Sequence, residues 1–195
     1  MRVILIRHGE TTTSGHSYAG RSNVPLTPRG HEQAARIAED LSGLPLTHIF
    51  VSSLSRSIDT ARPLARQHGL DLRVTPSLVE IDFGVLEGRE KGALGVSLRK
   101  AHAYRPIPGG EALCDVWDRA GAVIRGLPHA PDAISAVVGH FWINRLIWGR
   151  LHGLSFEAAC ASRAYRPATG FWVHIQCPIA PARQDRDGLA RAASL

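Results

Sequence analysis

The sequence is poor in cysteine, in aromatic residues and in long apolar runs. Its three cysteines, Cys114, Cys160 and Cys177, are widely spaced and form no CxxC pair. That argues against a disulfide framework and a thiolate zinc site, so reduced, mostly buried thiols are expected. No apolar run approaches the roughly 20 residues of a bilayer span. The N-terminus lacks the basic-then-apolar pattern of a secretory signal. A cytoplasmic protein with no membrane segment is the expectation. A basic block is also missing. The net charge is +6, but lysine is scarce, and the 23 basic residues are scattered and not interleaved with aromatics. No nucleic acid partner is expected. A general attraction for phosphorylated small molecules is the more economical meaning of the charge.

What is present is an ordinary globular composition over 195 residues, 44% hydrophobic and 21% charged. That length suits one α/β domain. Strand patterns at Arg2–Arg7, His48–Val51, Asp71–Val74, Ala133–Val138 and Phe171–Gln176 alternate with helical ones. Thr27 and Pro28 open the first helix as cap and first-turn residue. Ser55 is the expected cap of the next, which runs to His68-Gly69. Further helices are read from about Glu111 to Leu127, at Phe141–Leu151 and at Ser155–Ala161; residues 75–110 are less regular. The alternation predicts a mostly parallel sheet with helices on both faces. Residues 1–177 form the domain, and 178–195 read as a poorly ordered tail.

Three predicted strands end in groups that carry chemistry. The first delivers Arg7-His8-Gly9-Glu10-Thr11. The second, HIFV, delivers Ser52-Ser53-Leu54-Ser55-Arg56, with Arg56 at the start of a helix. The AISAVV strand delivers Gly139-His140 before another helix. Ligands of open α/β sheets bind beyond the carboxyl ends of the strands, so these groups converge on one edge. Two guanidiniums, two imidazoles and two helix N-termini suit a dianionic phosphoryl group. A neutral imidazole attacks phosphorus well when a backbone carbonyl holds its second nitrogen. Arg7, Arg56 and a protonated His140 would neutralise the phosphoryl oxygens. Glu80, inside an apolar stretch, is the best candidate to protonate the leaving alcohol. Asp82 and Glu87 are its competitors, although Glu87 beside Gly88 reads as structural.

These residues stand with Pro25-Leu26-Thr27, Gly30, Thr60-Ala61, Gly84, Glu87-Gly88, Gly109-Gly110-Glu111 and Arg145. The ordered set, spread over roughly residues 1–150, resembles the histidine phosphatase superfamily, also called the phosphoglycerate mutase-like family. The resemblance implies a three-layer α/β/α sandwich with a mostly parallel sheet. It implies a phosphohistidine on His8, phosphoryl binding by Arg7, Arg56 and His140, and Glu80 as acid and later base. It implies no metal and no cofactor, in keeping with the lack of HExxH or comparable ligand spacing. Two positions depart from the family's pattern. Ser14 stands where many members carry Asn, and Phe141, followed by Trp142, where many carry Gly. The backbone N–H of Phe141 stays available to phosphate; its ring narrows the pocket, stacks on substrate or joins the core. Thr11, Ser14, Arg21 and Asn23 are the further candidates for substrate contact.

Hydrolase and mutase share this constellation. The mutases have a long insertion after the acidic Glu, whereas here a short segment separates Gly88 from Gly109. A more open pocket favours water. The expectation is a metal-independent phosphomonoester hydrolase for a small phosphorylated metabolite. The loop from Gly20 to Thr27 is similar to that of α-ribazole phosphatases, which points to α-ribazole phosphate. A cofactor-dependent phosphoglycerate mutase and a non-catalytic phosphate-ester-binding module are the alternatives. The basic residues of 88–108, Lys91 and Arg99 among them, read either as a solvated face or as a lid selecting a second negative charge. Trp142, Ile147 and Trp148 read as core before ligand platform. Homodimers are common for the implied fold.

Overall fold

The computed structural model describes residues 1–92 and 97–165, together with the backbone of a strand at 172–176. Its strands are β1 (Arg2–Arg7), β2 (His48–Val51), β3 (Leu72–Val74), β4 (Ile134–Gly139) and β5 (Trp172–Gln176). They form one sheet in the order β3-β2-β4-β1-β5. The first four are mutually parallel, and β5 adds to the edge antiparallel to β1. The helices are α1 (Pro28–Asp40), α2 (Ser55–His68), α3 (Leu98–His102), α4 (Leu113–Gly126), α5 (Phe141–Leu151) and α6 (Phe156–Ala161).

Alternation along β1 builds both halves of the core. Ile4 and Ile6 face Ile37 and Ala38 of α1 and Ala61 and Leu64 of α2. Val3 and Leu5 face the opposite layer, where α4 supplies Leu113, Val116 and Ala120, α5 supplies Ile143 and Leu146, and α6 supplies Phe156. With both faces covered, the central strands read as continuous apolar runs. The three-layer α/β/α sandwich expected from the sequence is what forms.

Most predicted elements sit within a residue or two of their positions. The irregular stretch 75–110 holds two single 3₁₀ turns, at Pro76–Leu78 and Gly84–Leu86, and the short α3. Thr27 caps α1 through Gly30 N–H at 3.0 Å, as its position before Pro28 predicted. Ser55 does not cap α2. Leu54 occupies the cap position and offers no side-chain acceptor. The Ser55 N–H instead donates to Asn23 Oδ1 at 2.9 Å. Of the cysteines, Cys160 is buried, which pushes its thiol up to about 11, and Cys114 is half-buried. Cys177 and the tail at 178–195 lie outside the described residues. Among the described residues no helix is long and apolar enough to cross a membrane.

Candidate active site

Sheet register brings the three strand ends together. Arg7 pairs with Gly139 across β1 and β4, and Val51 pairs with Val138 across β2 and β4. The ladder continues one step further: His8 N–H donates to Gly139 O, and Ser52 N–H to Val138 O, both at 3.0 Å. His8 and His140 therefore leave adjacent strands side by side, with ring centroids 5.1 Å apart. The chain can turn sharply after His8 because two glycines meet there. A Cβ on Gly9 would lie 2.4 Å from Gly30 O, and one on Gly30 would lie 2.2 Å from Glu10 O. This close approach seats the start of α1 on the loop after the histidine.

His8 is held as an attacking group needs to be. Its Nδ1 lies 2.7 Å from Gly9 O. A carbonyl only accepts, so Nδ1 carries the proton and Nε2 keeps its lone pair. Gly9 is fixed in turn: its N–H donates to Thr60 Oγ1 at 2.9 Å, and Thr60 Oγ1 donates to Arg56 O at 2.7 Å. Burial, reinforced by Arg56 and Arg7, holds the His8 pKa well below 6.5. His8 is neutral at pH 7.

His140 is neutral too, which corrects the expectation of an imidazolium. Burial, then Arg56, His8 and Arg7, push its pKa well below 6.5. Its Nδ1 accepts from Arg56 Nε at 3.2 Å, which a protonated nitrogen could not do. The proton sits on Nε2, placed 2.8 Å from Ser52 Oγ and 3.3 Å from Ser57 Oγ.

Arg56 is almost fully buried. Besides His140 it donates to Ser22 O at 2.6 Å, Gly20 O at 2.8 Å and Ala19 O at 3.4 Å, which uses most of its five N–H groups. The Glu87 carboxylate holds the other side of the same loop. It accepts the N–H groups of Gly20, at 3.0 Å, and Ser22, at 3.1 Å, together with the Ser22 hydroxyl. Glu87 is thus structural, as its place beside Gly88 suggested. Arg7 lies 5.5 Å from the centroid of the Phe141 ring.

Among the three carboxylates weighed as acid, Glu80 reaches the cavity. Asp82 is turned aside, accepting Gly84 N–H at 2.9 Å. The buried Glu80 carboxylate accepts Ile81 N–H at 3.0 Å and Trp142 N–H at 3.1 Å. It therefore lies against the N-terminus of α5, a favourable place for a carboxylate. Trp142 N–H at α5 and Ser55 N–H at α2 are taken up by protein acceptors, so the helix ends offer an anion less than the sequence implied. The N–H of Phe141, the first residue of α5, is among those a helix leaves unpaired.

These groups open into a cavity of about 580 Å³. Arg7, His8, Arg56 and Glu80 line its floor, and His140 sits buried behind them against Arg56. Thr11 and Ser14 line a wall, joined through their hydroxyls at 3.0 Å. Tyr18, Phe83, Leu98, Phe141 and Trp142 supply apolar surface, and Lys91 adds a basic side chain from outside the strand ends. Phe141 and Trp142 are half-buried and line the pocket; Ile147 is core, and Trp148 packs against it. Arg21 and Asn23 do not line the cavity. Arg21 pairs with Glu111 at 3.1 Å, and Asn23 caps α2. Behind Phe141 and Trp142 lies a smaller hollow of about 290 Å³. Two of its arginines are engaged: Arg99 donates to Cys160 O, and Arg145 to Ala159 O and Tyr165 O. Among the described residues no group of three or more His, Cys, Asp or Glu could hold a metal.

Sequence reasoning did not single out Ser52 and Ser57, which flank His140, or the part of Thr60 in fixing Gly9. The serines share the SSLSRS run with Arg56, and that proximity was the only signal available. Lys91 is read only within the basic stretch of 88–108, as part of a solvated face or of a lid selecting a second negative charge. Arg119 was not seen at all.

Comparison with known proteins gives the same picture. The profile of the histidine phosphatase superfamily (branch 1) matches residues 3–169. A probable phosphoglycerate mutase GpmB of Salmonella choleraesuis is 34% identical over 140 residues, covering 68% of this chain and 65% of that protein. The matched region is thus just under two thirds of that relative's length. A putative α-ribazole-5′-phosphate phosphatase of Escherichia coli aligns with a TM-score of 0.77 at 30% identity, covering 90% of both chains. A mycobacterial glucosyl-3-phosphoglycerate phosphatase aligns with a TM-score of 0.76 at 25% identity, over 89% of this chain and 88% of that one.

Proposed function

Because this chain belongs to branch 1 of the histidine phosphatase superfamily, we propose that it is a metal-independent phosphomonoester hydrolase working through a phosphohistidine on His8. One observation carries the reading. The Nδ1–H of His8 is committed to Gly9 O, so a neutral Nε2 faces a cavity floored by Arg7 and Arg56. In the first step Nε2 attacks phosphorus and the bond from phosphorus to the ester oxygen breaks. Glu80, in its acid form, gives that oxygen its proton and the alcohol leaves. In the second step the Glu80 carboxylate takes a proton from water, whose oxygen attacks phosphorus. The P–Nε2 bond breaks, and phosphate and neutral His8 are left. Arg7 and Arg56 stabilise the phosphoryl charge in both steps.

A cavity of about 580 Å³ is much larger than a phosphoryl group and falls in the range of metabolite sites. The aromatic surface of Tyr18, Phe141 and Trp142 beside the hydroxyls of Thr11 and Ser14 suits a sugar phosphate that carries a planar ring. α-Ribazole phosphate has that chemistry, and the E. coli neighbour's name supports the choice. The test is the ratio of kcat/KM for α-ribazole phosphate to that for p-nitrophenyl phosphate. A ratio well above one is expected. Turnover of the generic ester without turnover of α-ribazole phosphate removes this substrate.

Lys91 favours a second reading, an acidic substrate of the phosphoglycerate kind acted on by a mutase. With 3-phosphoglycerate, phosphate release should outpace isomer formation if water is the acceptor. The opposite order establishes the mutase. Binding of a phosphate ester with no turnover of any ester marks a non-catalytic module. If the substrate carries a second anion, Lys91→Ala raises its KM about tenfold or more and leaves that of p-nitrophenyl phosphate unchanged.

A further inference from the structure

Glu80 sits on backbone with no regular structure between the two 3₁₀ turns. No ladder or helix fixes its main chain, and yet a proton donor must be placed to within a fraction of an ångström. What grips that segment is a side chain from the helix packed beside it. Arg119, on α4, donates from Nη1 to Ser77 O at 2.8 Å and Val79 O at 3.1 Å, and from Nη2 to Glu80 O at 3.4 Å. Its remaining contacts go to Glu111: Nε to Oε1 at 3.0 Å and Nη2 to Oε2 at 2.9 Å. Glu111 grips the chain just beyond Glu80. Its Oε2 accepts Asp82 N–H at 2.9 Å, and its own N–H donates to Asp82 O at 3.0 Å.

Two glycines make the grip close. A Cβ on Gly84 would lie 2.2 Å from Pro108 O, and one on Gly110 would lie 2.4 Å from Asp82 O. The backbones of 82–84 and 108–111 therefore touch, and Glu111 reaches Asp82. The ion pair is four-fifths buried on both sides. Burial alone would raise the Glu111 pKa, but the Arg119 and Asp82 hydrogen bonds outweigh it and hold the carboxyl below its ordinary value. A charged fork therefore spans residues 77–82, with Glu80 between its points of contact.

We infer that Arg119, locked by Glu111, is a positioning residue for Glu80: it sets where the carboxyl stands relative to the leaving oxygen and touches no substrate itself. This rests on the reading of Glu80 as proton donor. A lysine cannot replace it, because one ammonium cannot bind the carboxylate in two places and reach three carbonyls in the fixed planar geometry.

The test uses the full chain and kcat/KM, which reports the step that breaks the ester bond. Two esters are compared, p-nitrophenyl phosphate, whose leaving group needs little protonation, and benzyl phosphate, whose alkoxide does. Glu80→Gln calibrates the assay with a selective loss on benzyl phosphate. Arg119→Lys and Glu111→Gln should show the same selectivity: a loss of about tenfold or more on benzyl phosphate with p-nitrophenyl phosphate nearly unchanged. Retained p-nitrophenyl phosphate turnover is also the check on folding. Equal losses on both esters in the two variants mean general structural damage and overturn the inference. If Glu80→Gln shows no selectivity while the wild type is active, the acid assignment itself fails and the positioning role falls with it. If the Glu80 variant is selective and the other two are not, only the positioning role is overturned.

Discussion

Arg56 Nε donates to His140 Nδ1 across 3.2 Å, joining the first turn of α2 to the residue between β4 and α5. Burial is the main reason His140 is neutral; the bond adds to it and turns the ring's proton toward Ser52. The same guanidinium ties down the 19–22 loop, a structural role beside the one proposed toward phosphate.

Arg56→Gln should lower kcat/KM for p-nitrophenyl phosphate by about 10²-fold, the scale for losing one charge-stabilising donor. It should also raise the pKa of His140, because the Arg56 charge is among the causes that lower it. Imidazole resonances followed by NMR against pH report that second effect. An unchanged His140 titration would contradict the assigned tautomer.

Stability should fall as the solution is acidified through the histidine range. His8 and His140 have folded pKa values well below 6.5. Between 6.5 and those values the unfolded chain binds protons that the folded one refuses. Their contribution is complete above 6.5 and declines below it, by up to about 1.4 kcal/mol per pH unit for each histidine. Denaturant titrations at a series of pH values measure the slope. His140→Gln should remove about half of this part of it. An equal slope in wild type and variant would contradict the buried neutral state.

Asn23→Ala tests a residue that the structure moves from substrate contact to helix capping. Loss of the acceptor for Ser55 N–H should cost about 1 kcal/mol and lower Tm by about 2–4 °C. KM should not change. A raised KM at constant Tm would return Asn23 to the substrate site.

The sheet was legible because its central strands are covered on both faces. Val3-Ile4-Leu5-Ile6 and Ser135-Ala136-Val137-Val138 have almost no polar interruption to confuse the reading. The meeting of His8, Arg56 and His140 then follows from parallel strands ending on one edge. What was not legible depends on side chains reaching backbone far away in sequence. Asn23 to Ser55 and Arg119 to residues 77–80 have no periodicity and no motif spacing. The protonation of His140 depends on a desolvated neighbour that composition does not reveal. Ser55 before a helical pattern looked like a cap, but the chain enters α2 one residue earlier, at Leu54.

Everything in the proposed chemistry passes through a covalent intermediate on His8. The direct measurement is mass spectrometry of the protein quenched in alkali during turnover of p-nitrophenyl phosphate, with EDTA present throughout. A phosphoryl group is expected on the peptide that carries His8, with neither adduct nor turnover in His8→Ala. Turnover that persists in the variant, or that proceeds in the wild type without a phosphorylated His8, would contradict that chemistry.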